Sequence, residues 1–96
     1  GVPEQLAVPP QIDEADEAAE VLRVWIADGG LAVSFKTAFD DPSVWGMLLV
    51  DIARQVARGF AGDGIATEEA ALKTMREMFD SEWDRPTDLG TTSAQQ

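Results

Sequence analysis

Cysteine, histidine and tyrosine are all absent from this 96-residue chain. Without cysteine no disulfide can form. Without cysteine or histidine the usual zinc ligand sets cannot be assembled. The same two absences remove every Ser–His and Cys–His arrangement for nucleophilic catalysis. Cations are scarce as well, with seven Lys and Arg against eighteen Asp and Glu, for a net charge of −11. Such a surface repels nucleic-acid phosphates and anionic lipid, so neither is expected as a partner. Long apolar runs are missing too. The longest spans Val44 to Val50, far short of the roughly 20 residues that cross a bilayer. No basic stretch followed by an apolar one resembles a secretory leader. Together with the missing cysteine, this predicts a cytoplasmic protein.

A chain of this size is expected to form one domain with a thin core, because a short chain buries only about 60–65% of its unfolded surface. Domains this small usually need a staple, and with disulfides and zinc removed the remaining one is a partner chain. The charge is unevenly spread. Residues 1–20 carry −6, residues 21–62 carry 0 and residues 63–96 carry −5. The excess therefore sits on the ends, and the middle is neutral.

Residues 1–18 read as a mobile acidic arm. Pro3, Pro9 and Pro10 oppose regular structure, and Asp13-Glu14-Ala15-Asp16-Glu17 repels itself. Its simplest role is a solvated tail, and its sharper one an arm that docks on a basic patch. Residues 20–38 read as a β-hairpin. Val21 to Ile26 is rich in β-branched and aromatic side chains, and Leu31 to Lys36 alternates large apolar with small or polar residues. Asp28-Gly29-Gly30 between them offers two tight turns. A Gly29-Gly30 turn sets Val24 opposite Phe35 and Arg23 opposite Lys36, and an Asp28-Gly29 turn sets Leu22 opposite Phe35. Both put Leu22, Val24, Ile26, Leu31, Val33 and Phe35 on one face, the predicted core face.

Residues 41–61 read as a helix. Asp41 caps it, Pro42 fits its first position, and Gly62 and Gly64 end it. Trp45, Leu48, Leu49, Ile52, Ala53, Val56 and Phe60 recur along one side. Residues 67–83 read as a second helix, capped by Thr67, with Leu72, Met75, Phe79 and Trp83 on one side and Pro86 beyond its end. Residues 87–96 are polar and expected to be disordered. The order predicts an α+β fold: a β-hairpin followed by two amphipathic helices, a ββαα two-layer sandwich over residues 19–86, completed by dimerisation.

Other chemistry is sparse. The glycines from Gly59 to Gly64 follow a helix, not a strand, and read as a helix end rather than a phosphate loop. Asp40-Asp41 could hold a hard cation but is more simply a helix cap. Asp63 to Glu69 lacks the alternating acids of a calcium loop. No cofactor and no metal site are expected.

The informative surface is the second face of the hairpin, which carries Arg23, Trp25, Ser34 and Lys36 among small alanines. Two of the chain's seven cations share it with an indole ring, and aromatic and Arg anchors dominate binding energies. A solvated face, a partner-chain interface and a receptor for a small anionic ligand or acidic peptide all remain open there. A lone two-stranded hairpin is marginal and leaves edges unpaired, which supports a homodimer. The expected function is a small non-enzymatic interaction or binding module. A carboxylate-based, magnesium-dependent enzyme is the remote alternative. A nucleic-acid mimic is disfavoured by the neutral middle.

Val21-Leu22-Arg23-Val24-Trp25-Ile26, Asp28-Gly29-Gly30-Leu31, Ala38-Phe39-Asp40-Asp41-Pro42 and Trp45-Gly46-Met47-Leu48-Leu49 with Asp51-Ile52-Ala53 together resemble a small alphaproteobacterial family classed as a domain of unknown function. The resemblance covers about residues 20–80 and implies short bacterial single-domain proteins. It brings no activity, cofactor or catalytic residue with it.

Overall fold

The computed structural model describes residues 1–87 and 92–96. Along the chain lie α1 (Pro10–Glu14), β1 (Leu22–Ala27), β2 (Gly30–Phe35), α2 (Pro42–Gly62), α3 (Glu68–Asp84) and β3 (Thr92–Gln95). This is an α+β arrangement.

The turn residues decide the hairpin register. Asp28 and Gly29 both take positive φ, 51° and 79°, as a two-residue primed turn demands. Aspartate tolerates that region better than most side chains and glycine enters it freely. Leu22 therefore faces Phe35, Val24 faces Val33 and Ile26 faces Leu31, with Arg23 opposite Ser34 and Trp25 opposite Ala32. The Gly29-Gly30 alternative, and with it the opposition of Arg23 to Lys36, does not occur.

The sheet has a third strand that the sequence did not signal. Thr92–Gln95 pairs in parallel with β2, Val33 beside Ala94 and Ser34 beside Gln95, giving the order β1-β2-β3. The expected disorder of residues 87–96 is corrected for this segment. Pairing satisfies the backbone groups that β2 would otherwise expose along its second edge, and this gain is indifferent to the polar side chains of Thr-Ser-Ala-Gln. Residues 88–91 of the expected tail lie outside the described residues. The arm also differs from expectation at one place. Pro10 opens the short helix α1 instead of preventing it, because at a first helical position its missing N–H is not needed.

The two long helices start where their caps dictate. Asp41 accepts from the Ser43 N–H at 2.9 Å, which holds its carboxyl below the usual carboxylate range. Thr67 Oγ1 accepts from the Ala70 N–H at 3.1 Å. At the end of α2 the Gly64 N–H reaches the Ala61 carbonyl and the Ile65 N–H reaches the Phe60 carbonyl. Gly64 sits at φ 72°, the left-handed cap that closes a helix in this pattern. Glu82 accepts two hydrogen bonds from Thr87, the hydroxyl at 2.7 Å and the N–H at 3.0 Å, and its pKa is lowered by them.

α2 and α3 form a helical hairpin. Ala57 and Ala71 are the buried residues among those described, and Arg58 bridges to Glu68 across the pair at 3.4 Å. Close backbone approach joins β1 to β2, β2 to β3 and α2 to α3, while the helices stand off from the sheet. Their link is at the start of α2. There Trp45 Nε1–H donates to the Thr37 carbonyl at 2.7 Å, and the Trp45 ring meets Phe39 edge-on at 6.3 Å. Val24 is 51% and Ile26 76% exposed, so the predicted core face lies open at these two β1 residues in the single chain, while Leu31 and Val33 opposite them are half-buried. Among the described residues no helix is long and apolar enough to cross a membrane.

Candidate functional site

Strand alternation fixes what the second sheet face presents. Arg23 and Trp25 on β1 lie across from Ser34 and Ala32 on β2, and Ser93 and Gln95 on β3 continue the same rows. Lys36 follows at the end of β2, where its N–H donates to the Val21 carbonyl at 3.0 Å. The four residues singled out in the sequence, Arg23, Trp25, Ser34 and Lys36, thus do share a face.

The arginine on that face is already occupied. Arg23 donates from Nε and Nη2 to the two carboxylate oxygens of Glu20 at 2.7 and 2.8 Å. This hydrogen-bonded fork lowers the Glu20 pKa and raises that of Arg23. The guanidinium also lies 5.8 Å from the centroid of the Trp25 ring. Arg23, Glu20 and Trp25 form one neutral cluster. Trp25 is half-buried, since small Ala32 opposite leaves room for the ring against the sheet. Across the described residues Lys36 has no ion pair. A shallow cleft of about 220 Å³ runs past Lys36, Ser34, Phe35, Glu20 and Gln95. Glu20 escaped the sequence reading although it stands three residues from Arg23, because it merged with the acidic run of the arm.

The larger opening is a cleft of about 620 Å³ between the arm, β1 and α2. Leu22 and Val24 line it from the sheet, Leu48 and Ile52 from α2, and Leu6 and Val8 from the arm. It marks where the two layers part. The sequence predicted that these faces are apolar, but not that one chain leaves a gap between them. Among the described residues no group of three or more His, Cys, Asp or Glu side chains converges as a metal site would need.

No curated protein matches the chain. Among solved structures it is similar to a protein of the photosynthetic bacterium Rhodopseudomonas palustrus, provisionally described as a pyruvate dehydrogenase. The two are 47% identical, with a TM-score of 0.76, over 99% of this chain and 98% of that one. The sequence pattern of a family described as Domain of unknown function (DUF5076) matches residues 5–87, which spans the arm, the hairpin and both long helices, so the chain belongs to that family.

Proposed function

We propose that the chain is a non-enzymatic interaction module that works as a homodimer, its open apolar faces closed by a second copy. One observation carries this reading. The chain exposes 8427 Å², whereas a compact monomer of 10.4 kDa exposes about 5,400 Å². The radius of gyration agrees, at 15.4 Å against about 12.5 Å for a compact domain of this length. The surplus of roughly 3,000 Å² per chain, or about 6,000 Å² for a pair, is more than enough to supply an obligate interface, which buries about 2,000–5,000 Å² or more over both partners. It is also apolar in character. Ile26, Met47, Ile65, Met78 and Trp83 are each more than 60% exposed, and large apolar side chains left open in this number support an interaction surface.

The activity in the relative's description stays with the relative. The anion-receptor reading of Arg23, Trp25, Ser34 and Lys36 has less support, because Glu20 already neutralises Arg23 and Lys36 remains as a single exposed charge. Light scattering at micromolar concentration tests the dimer. The expected mass is twice 10.4 kDa, and a mass of one chain removes the reading. A melting-temperature screen with anionic metabolites tests the alternative, which a clear upward shift would revive.

A further inference from the structure

We propose that the N-terminal arm, residues 2–12, clasps the second copy instead of its own chain, with the partner's body seated in the cleft between arm, β1 and α2. This deepens the homodimer reading and rests on it.

The arm carries apolar side chains with nothing of its own to cover them. Leu6 is 97% exposed and Val2 95%, and Val8 and Ile12 are also exposed. A purely solvated tail has no need of them. The arm's backbone hydrogen bonds are local, from Ile12 to Pro9 and from Ala15 to Ile12, and none reaches β1 or α2 among the described residues. It nonetheless stands across from Val24 and Ile52, bounding an opening of about 620 Å³. An arm that bounds an opening without a backbone hydrogen bond to either wall among the described residues fits a wall supplied by another molecule.

Area and charge identify that molecule as a second copy. The arm, the cleft walls and the open end of β1 together contribute to a surplus surface that, taken over two chains, is more than enough to supply an obligate dimer interface. Two identical clefts facing each other across a two-fold axis would close together, because an isologous interface uses the same patch on both chains. Charge does not oppose this closure. Glu4, Glu20 and Arg23 are the charged residues lining the cleft, and the last two neutralise each other at 2.7 Å. The acidic run from Asp13 to Glu17 lies outside the lining, so its charge need not be brought against its symmetry mate. An acidic arm of this kind is poorly suited to a nucleic acid or an anionic membrane in the same cleft.

The test uses the full chain and the double substitution Leu6→Asp/Val8→Asp. In a lone chain these exposed positions tolerate charge, and circular dichroism should show the fold retained. If the arm clasps a partner, sedimentation equilibrium should show a dimer dissociation constant raised about tenfold or more. A mixed sample of ¹³C-labelled and unlabelled chains supplies the second readout. Isotope-filtered NOEs should link the Leu6, Val8 and Ile12 methyl groups to the body of the other chain. A wild-type dimer with an unchanged dissociation constant in the variant, or with arm NOEs confined to one chain, overturns the clasp and leaves the dimer standing. A monomeric wild type overturns both.

Discussion

The helical hairpin and the sheet solve the same burial problem to different degrees. α2 and α3 meet through Ala57, fully buried, and Ala71. Small residues there let the two backbones approach, and a cap at each start and a glycine at the turn hold the geometry. The sheet pairs its central strand β2 with β1 along one edge and, over Leu31–Ser34, with β3 along the other, yet leaves Val24 and Ile26 open on its apolar face. Local rules set the caps of the helix pair and its Ala57–Ala71 contact within one chain, although Met47, Met78 and Trp83 on the same helices stay exposed. The sheet pairs its central strand but leaves part of its apolar face uncovered, which is the shortfall the proposed partner would fill.

The largest expected effect would come from Ile26→Asp combined with Val24→Asp. If a second copy covers this face, the variant loses the dimer and its cooperative unfolding transition at room temperature. If the face is simply solvated, stability shifts by only about 0.5 kcal/mol, and the contrast between the two regions dissolves. Next is Ala57→Leu, which forces extra carbons into a fully closed contact between α2 and α3. It should cost about 1–3 kcal/mol in chemical denaturation. A neutral result would show the helix pair to be as loosely packed as the sheet face.

The helix pair was also the more legible region. Asp41-Pro42 and Thr67 announced the helix starts within a residue, because capping chemistry is local and the caps form as expected. The hairpin was legible to within two registers. The choice fell to the turn able to place Asp28 and Gly29 at positive φ. Both alternatives put Val24 on the apolar face, so the site's composition could be read. Its burial could not. Ile26 stays open because no helix approaches it closely among the described residues, while Trp25 on the other face is half-buried beside Arg23, and no local pattern encodes either outcome. β3 was invisible for a related reason. A parallel edge strand is recruited by the backbone of β2, and Thr-Ser-Ala-Gln carries no alternation of its own. Arg23 was found, but its partner Glu20 was hidden by its acidic neighbours.

A smaller effect should follow from Thr67→Ala, which removes the hydroxyl that accepts from Ala70. It should cost about 1 kcal/mol, read as a lower unfolding midpoint with an unchanged dimer mass. An altered mass would mean that the α3 start belongs to the interface. The smallest effect is acid sensitivity. Glu20, Asp41 and Glu82 all have lowered pKa values from hydrogen bonds to the charged form. Each therefore adds stability that is present above its ordinary pKa, 4.5 for the glutamates and 3.8 for the aspartate. That stability is lost as pH falls through the lower folded value. The melting temperature should decline below those values, and Glu20→Gln should make the decline slightly shallower. An identical acid limb in the variant would show that the Glu20–Arg23 fork contributes nothing to stability.

Calorimetry over about a hundredfold range of protein concentration addresses the claim beneath these contrasts, that one chain alone cannot finish its core. If folding is coupled to pairing, the melting temperature climbs as the solution becomes more concentrated. A melting temperature that stays fixed across the series would mean that the single chain is stable with its faces open, and the account would be contradicted.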